Sequence, residues 1–92
     1  MSSKYKIGII GLGYVGLPLA VAFSNKFEVV GFDINQKRIS ELLNGIDKTL
    51  EIEEEKLNKA IAKNNFLPTD KIEALETCNF YIITDGFMVS AW

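Results

Sequence analysis

The sequence predicts an α/β fold, a doubly wound parallel sheet that is truncated to about four strands with three to four helices. Short β-branched runs alternate with segments whose apolar residues recur at helical spacing, which is typical of parallel strands joined by crossover helices. The chain has 92 residues, of which 48% are hydrophobic and 24% charged. This composition suits one globular domain, and no repeat, low-complexity tract or linker divides it.

The composition excludes several classes of protein. Twelve acids and ten bases leave a net charge of −2, so nothing attracts the chain electrostatically to nucleic acid or to an anionic membrane. One cysteine cannot form an internal disulfide, and without histidine a zinc site or histidine-based catalysis lacks its residues. The longest apolar run is too short to span a bilayer. With no evident signal peptide, a cytoplasmic location is expected.

The amino-terminal third predicts a strand, a helix and a second strand. The segment from Lys6 to Ile10 is short, β-branched and ended by glycines, as expected for a strand buried on both faces. A helix follows over Tyr14 to Asn25, although Pro18 is tolerable only near its start. The second strand covers Glu28 to Phe32 and ends at Asp33.

Two helices are predicted next. The first has Asn35 as its cap and Asn44-Gly45 as its left-handed stop, and its inward residues are Ile39, Leu42 and Leu43. After a loop at 45–50, the second helix covers Glu51 to Asn64, with acids in the first turn and lysines later, as the helix dipole favours. Glu55 and Lys59 are spaced for a surface ion pair. The inward residues of this helix are Ile52, Leu57, Ala60 and Ile61.

The last part of the chain predicts two further strands. A short strand at Phe66-Leu67 precedes Pro68, and a longer one covers Phe80 to Thr84. Between them, Asp70 and Glu73 fit a capping box for a brief helix. The inward residues of that helix are Ile72 and Leu75.

The turn after the first strand carries a dinucleotide-binding pattern. Gly11-Leu12-Gly13-Tyr14-Val15-Gly16 matches G-x-G-x-x-G between a strand and a helix, and Asp33 closes the next strand about 20 residues on. Gly11 permits the tight turn, Gly13 lets a pyrophosphate approach the backbone and the positive helix end, and Gly16 lets the helix pack closely on the strands. The fold predicted is therefore Rossmann-like.

Asp33 determines the expected cofactor. Its carboxylate can accept hydrogen bonds from both ribose hydroxyls of an adenosine and would repel a 2′-phosphate, so NAD is favoured over NADP. Arg38 either reaches the adenine or a phosphate, or is a solvated surface residue. A structural alternative is that the glycines only allow a tight turn and that Asp33 caps the helix beginning near Asn35.

No catalytic or metal-binding residue is predicted. Cys78 stands before the last strand with no histidine to activate it, so a small, partly buried residue is expected in place of a nucleophile. Tyr14 and Val15 border the pyrophosphate turn, although either residue can simply pack.

Four segments resemble the amino end of the UDP-glucose/GDP-mannose dehydrogenases. They are I-G-I-I-G-L-G-Y-V-G-L-P-L-A, G-F-D-I-N-Q-K-R-I, L-N-G-I-D-K-T-L-E and F-Y-I-I-T. The resemblance covers about Tyr5 to Thr84. The stretch from Gly45 to Glu51 is most similar to the branch that oxidises UDP-N-acetylhexosamines, the Vi-polysaccharide type, in bacterial capsule and O-antigen pathways.

The resemblance implies part of an enzyme that oxidises C6 of a nucleotide sugar to an acid in two NAD-dependent steps, through a thiohemiacetal on a catalytic cysteine. The implied cofactor-binding residues are Gly11, Gly13, Tyr14, Val15 and Gly16 at the pyrophosphate, Asp33 at the adenosine ribose, Arg38 towards the adenosine and Thr84 at the strand end facing the cofactor. The family's catalytic cysteine, lysine and asparagine lie far beyond residue 92, so Cys78 inherits no role.

Residues 85–92 depart from the family pattern, which continues with a V-P-T-P-like loop. We therefore expect 1–84 to be the N-terminal part of an NAD-binding Rossmann domain and 85–92 to be a non-family C-terminal tail. The chain is expected to bind NAD without completing catalysis, and the UDP-sugar is expected to bind only in a full-length protein.

Two other functions stay open at this point. In an interaction module, the last strand would lie beside the first and leave an open apolar sheet edge. That edge and the apolar tail Phe87-Met88-Val89…Trp92 predict self-association. A flavin-binding or other nucleotide-binding module uses the same fingerprint, usually with glutamate in place of Asp33.

Overall fold

One sheet of five strands organises the described part of the chain. Its strands are β1 (Lys6–Ile10), β2 (Glu28–Phe32), β3 (Phe66–Thr69), β4 (Phe80–Thr84) and β5 (Val89–Ala91). They lie in the order β3-β2-β1-β4-β5, with β1 to β4 parallel and β5 antiparallel to β4. The predicted parallel sheet is confirmed, and β5 is one strand more than expected.

The computed structural model describes residues 5–13, 15–46, 54–63, 65–84 and 89–91, with only the backbone described for Glu54 and 89–91. Within these ranges, four helices connect the strands: α1 (Gly16–Phe23), α2 (Gln36–Leu43), α3 (Glu54–Ala62) and the 3₁₀ helix Ile72–Thr77. No helix in these ranges is long and apolar enough to cross a bilayer.

α1 starts later than the sequence predicts. Its first residue is Gly16, whereas the predicted start, Tyr14, lies outside the described residues. The later start places Pro18 in the first helical turn, where a missing N–H breaks no intrahelical hydrogen bond. The next amide, that of Leu19, donates to the carbonyl oxygen of Val15 over 3.3 Å. Pro18 is thus accommodated near the helix start, as predicted.

Both ends of α2 match the prediction, but part of its inward face does not. The side-chain oxygen of Asn35 accepts a hydrogen bond from the Arg38 amide over 3.1 Å, and Gly45 ends the helix with φ +76°. Leu43, predicted to point inward, is 52% exposed. The buried residues of α2 are Arg38, Ile39 and Leu42. Successive residues of an α-helix lie about 100° apart around its axis. Leu43 is therefore turned away from the inward stripe to which Leu42 belongs.

α3 packs through three of the residues predicted to face inward. Leu57 is fully buried and Ala60 is 7% exposed, whereas Ile61 is only partly buried. The predicted ion pair is present, with Lys59 Nζ 3.9 Å from Glu55 Oε1. Both side chains are largely exposed, so the pair contributes only about 0.3–0.5 kcal/mol. Outside the described residues lie the predicted ends Glu51 and Asn64, the inward Ile52 and the loop residues 47–50.

The two outer edges of the sheet are β3 and β5. β3 runs through Pro68 to Thr69, further than the predicted Phe66-Leu67 strand. A proline is tolerated there because an edge strand has a neighbour on one side only. The open edge predicted beside β4 is wrong, because β5 pairs with β4. Outside the described residues lie Phe87, Met88 and Trp92 of the apolar tail.

The connection from β3 to β4 is a 3₁₀ helix without the predicted capping box. The residue before that helix is Lys71, and no side chain caps it. The Lys71 amide donates to the hydroxyl of Thr69 over 3.0 Å instead. The box predicted from Asp70 and Glu73 is therefore wrong, since the cap position falls on Lys71, one residue later than the box requires.

The two faces of the sheet are covered unequally. All three α-helices pack on one face, whose buried cluster is Ile7, Ile9, Leu12, Leu17, Ala20, Val21, Val29, Ile39, Leu42, Leu57, Ala60 and Phe66. The 3₁₀ helix covers the other face, with Leu75 buried and Ile72 63% exposed. On that face, Leu67 and Ile83 are 51% and 37% exposed. Most of the buried apolar side chains therefore lie on the face covered by the three α-helices.

We expect Leu57→Ala to lower the free energy of unfolding by about 2–5 kcal/mol, because it removes a fully buried side chain between α3 and the sheet. Leu67→Ala is the matched control, since Leu67 is half-exposed on the other face. This control should change the free energy of unfolding by no more than about 0.5 kcal/mol. Urea unfolding followed by circular dichroism measures both values. Equal destabilisation by the two variants would contradict the packing of α3.

Candidate dinucleotide-binding site

The turn between β1 and α1 lies too close to its neighbours for side chains at two positions. Gly11 has φ +100°, and a Cβ there would collide with the carbonyl oxygen of Thr84 at the end of β4. A Cβ on Gly16 would overlap the carbonyl oxygen of Gly11. The tight turn and the close helix packing predicted for these two glycines are therefore present.

Gly13 differs from the other two glycines because it faces open space. Apart from its chain neighbours, no heavy atom of the described residues lies within 4 Å of the position that a Cβ would take there. Among the described residues, no side chain caps the start of α1, and its first turn holds no acid. A negatively charged group can therefore approach Gly13 and the positive end of α1.

Leu12, between the first two glycines, anchors the turn to β2. Its side chain is fully buried. A Cβ on Gly31 would lie 2.7 Å from a Leu12 methyl carbon and 2.7 Å from the ring of Phe66, so Leu12 fits only because Gly31 has no side chain. This contact was not predicted, although a glycine in the middle of a strand signals close approach.

Asp33 follows β2 and binds two backbone amides. Its Oδ2 accepts a hydrogen bond from the Leu12 N–H over 2.9 Å, and its Oδ1 accepts one from the Asn35 N–H over 2.9 Å. The alternative in which Asp33 caps α2 is wrong, because Asn35 caps it. The carboxylate is partly buried and oriented by both bonds. Since a carboxylate has about four acceptor sites, it retains capacity for further donors.

Arg38 lies under the turn. It is 8% exposed, and its Nε–H donates to the carbonyl oxygen of Leu12 over 2.8 Å. The alternative of a solvated surface arginine is therefore wrong, because Arg38 belongs to the inward stripe of α2. A direct contact between Arg38 and an adenosine stays a prediction.

Thr84 holds the turn from the β4 side. Its side chain is buried, and its hydroxyl donates to the carbonyl oxygen of Gly11 over 2.9 Å, with that of Ile10 at 3.3 Å. Thr84 thus lies at the strand end, as predicted, but its hydroxyl is directed into the turn. Val15 precedes α1 and is partly buried, and Tyr14 lies outside the described residues.

The predicted residues meet around the turn Gly11-Leu12-Gly13 and not in the cleft between α1 and α3. Around this turn lie Gly16, Asp33, Arg38 and Thr84. A cleft of about 490 Å³ lies between α1 and α3, and its exposed lysines are Lys56, Lys59 and Lys63. None of the predicted cofactor-binding residues that the structure describes lines it. The candidate site is therefore the open turn, with Gly13 as its accessible point.

Cys78 is a buried residue of the second sheet face. It packs in a cluster with Val30 and Leu75. Burial raises the pKa of its thiol above the usual value, an effect that the positive charge of Lys6 opposes. Because the thiolate is the nucleophilic form, a raised pKa makes that form scarce at neutral pH. This environment fits a packing role.

The glycines should differ in their sensitivity to an added methyl group. We expect Gly16→Ala to lower the free energy of unfolding by about 1–3 kcal/mol, because its Cβ overlaps the Gly11 carbonyl oxygen. Gly13→Ala, the matched control, should stay within about 0.5 kcal/mol of the parent chain, since its Cβ meets open space. Urea unfolding of both variants is the measurement. A more destabilising Gly13→Ala would contradict the open face at Gly13.

Comparison with known proteins gives a family match over most of the chain. Residues 5–86 match the model of the UDP-glucose/GDP-mannose dehydrogenase family, NAD binding domain. The chain is 59% identical over 82 residues to a UDP-N-acetyl-D-glucosamine 6-dehydrogenase from Salmonella typhi, and this match covers 88% of the chain and 18% of that protein.

The fold is also similar to solved structures. A UDP-D-ManNAc dehydrogenase from Pyrococcus horikoshii matches with a TM-score of 0.82 and 33% identity, over 86% of this chain and 19% of that one. A ternary complex of GDP-mannose dehydrogenase from Pseudomonas aeruginosa matches with a TM-score of 0.80 and 28% identity, over 87% and 19% of the two chains. The chain thus spans about one-fifth of the length of these relatives. On the family match and the identity to its relatives, the chain belongs to the UDP-glucose/GDP-mannose dehydrogenase family, as an NAD-binding domain.

Proposed function

We propose that this chain forms the adenosine-pyrophosphate half of the NAD site in a nucleotide-sugar 6-dehydrogenase of bacterial polysaccharide synthesis, such as capsule formation. The parent reaction would convert a UDP-N-acetylhexosamine, or UDP-glucose, to a uronic acid in the cytoplasm. The relative from Salmonella typhi, named a UDP-N-acetyl-D-glucosamine 6-dehydrogenase, supports the first substrate class. When bound, NAD supplies the hydride acceptor for such an oxidation.

The observation that carries this proposal is the hydrogen bond between the Asp33 carboxylate and the Leu12 amide, one residue before the open backbone at Gly13. Two amide hydrogen bonds orient the carboxylate, and its remaining lone pairs can accept both hydroxyls of an adenosine ribose. A 2′-phosphate at the same position would meet a negative charge. These features favour NAD over NADP.

The pyrophosphate would lie against Gly13 and the start of α1. The open space at Gly13 and the uncapped positive end of α1 support this placement. Tyr14 and Val15 would border the pyrophosphate, while Gly11 and Gly16 would act by shaping the turn. Arg38 and Thr84 complete the proposed set of cofactor-binding residues, and both donate hydrogen bonds to backbone carbonyl oxygens of the turn.

We assign residues 1–84 to the N-terminal part of the NAD-binding domain and 85–92 to a C-terminal tail outside the family pattern. The family match over residues 5–86 supports a boundary near Thr84. No catalytic residue is assigned in this chain. We therefore propose that it binds NAD without oxidising a sugar, and that the UDP-sugar binds only in a full-length protein.

Calorimetric titration with NAD tests the proposal. We expect NAD to bind the parent chain and Asp33→Ala to weaken binding by about 1.5–3 kcal/mol, the value of a hydrogen bond to a charged group. Glu76→Ala is the matched control, because it removes one exposed carboxylate from the 3₁₀ helix, and it should leave NAD affinity unchanged.

Two results of that titration count against the proposal. Absence of NAD binding at millimolar concentration would mean that this chain has no cofactor function. Tighter binding of NADP than of NAD would mean that Asp33 does not select the cofactor.

A second function, self-association, is proposed from the sheet edges. β3 carries Pro68, which blunts its edge, whereas β5 is the other outer strand of the described sheet. Pairing through β5 would extend the sheet from one copy to another. Light scattering across micromolar concentrations should then show a dimer or larger species, and a monomer throughout would exclude this association.

A further inference from the structure

We infer that Arg38 is a positioning residue that aims the Gly13 N–H at the bound pyrophosphate, an inference that rests on the proposed NAD site. Arg38 is buried, and its Nε–H donates to the carbonyl oxygen of Leu12 over 2.8 Å. That oxygen belongs to the peptide group joining Leu12 to Gly13. Arg38 therefore holds one end of the peptide whose other end is the Gly13 N–H.

The planarity of the peptide bond links the two ends. In a trans peptide the C=O and N–H point in opposite directions, and rotation about the C–N bond that joins them is strongly hindered. The chain has no cis peptide among its described residues. Because the buried guanidinium holds the Leu12 oxygen, the Gly13 N–H is directed away from Arg38. The Cβ position of the same residue meets no other described residue, so a ligand has room beside Gly13.

Leu12 is also held by its own N–H and by its side chain. These contacts restrict rotation of the peptide group that joins Leu12 to Gly13. Its own N–H donates to Asp33 Oδ2 over 2.9 Å, and its side chain is locked against Gly31 and Phe66. Asp33 thus accepts from the N–H of Leu12, and Arg38 donates to its C=O. Both charged residues orient the turn, and only Asp33 has acceptor capacity left for the ribose.

Arg38→Met tests the inference, because methionine has a similar length and no donor. We expect NAD affinity to fall about tenfold, since a hydrogen bond from a charged group is lost at the turn. Arg38→Lys should not restore binding, because lysine keeps the charge without the planar guanidinium donor. The control is Lys37→Met, the same change at the exposed neighbouring position, which should alter affinity less than about twofold.

Amide spectra of the ligand-free variants separate positioning from direct contact. In Arg38→Met, the Leu12 and Gly13 amide resonances should shift and exchange faster with solvent, while that of Leu57 should not change. If NAD affinity falls while the two turn amides stay unchanged, Arg38 contacts the cofactor directly and the inference is wrong. If the amides shift while NAD affinity stays the same, the inference is equally wrong.

A measurement on the unaltered chain covers the case in which the variants do not fold. The Nε–H resonance of Arg38 should be protected from solvent without ligand and should keep its position on saturation with NAD. A large shift or loss of protection on NAD binding would show that Arg38 exchanges Leu12 for the cofactor. If NAD does not bind at all, the proposed function fails, and the ligand-free amide comparison still decides whether Arg38 holds Leu12.

Discussion

The carbonyl oxygen of Gly11 occupies the space that a side chain on Gly16 would need, and the rest of the site depends on this lack of room. The first turn of α1 can lie against the end of β1 only because both residues lack a Cβ. Thr84 then reaches the turn from β4 and hydrogen-bonds to the same carbonyl oxygen. The approach of three elements to one point leaves Gly13 on the outside of the turn, where a ligand can reach its backbone.

The charged residues of the candidate site hold the backbone of the turn in place. Asp33 holds an amide of the turn and an amide before α2, and Arg38 holds a carbonyl of the turn. Each therefore joins β2 or α2 to the segment that follows β1. A fingerprint that predicts cofactor binding is for this reason also a pattern that predicts a particular backbone arrangement. The tight turn predicted from the glycines is present, and the proposed NAD site would use the same backbone arrangement.

Features set by local sequence were predicted well, and features set by distant contacts were not. The four parallel strands and the Asn35 cap depend on short-range patterns, so the sequence alone indicates them. The burial of Arg38 depends on which stripe of α2 meets the turn, and the same rotation exposes Leu43. Leu12 occupies a position of the fingerprint where any residue is allowed, so the pattern assigns it no role. Only its contact with Gly31 on β2 shows that it anchors the turn.

The order of the strands has a consequence for how the chain is made. β1 is synthesised early, yet it lies in the middle of the sheet, between β2 and β4. Its second neighbour is nearly the whole chain away, and the backbone of Lys6 pairs with that of Asn79. Because domains fold as they emerge during synthesis, β1 and β2 are available to pair long before β4 has left the ribosome. One edge of β1 therefore stays unpaired until β4 has been synthesised, and β4 then pairs beside the first of the five strands.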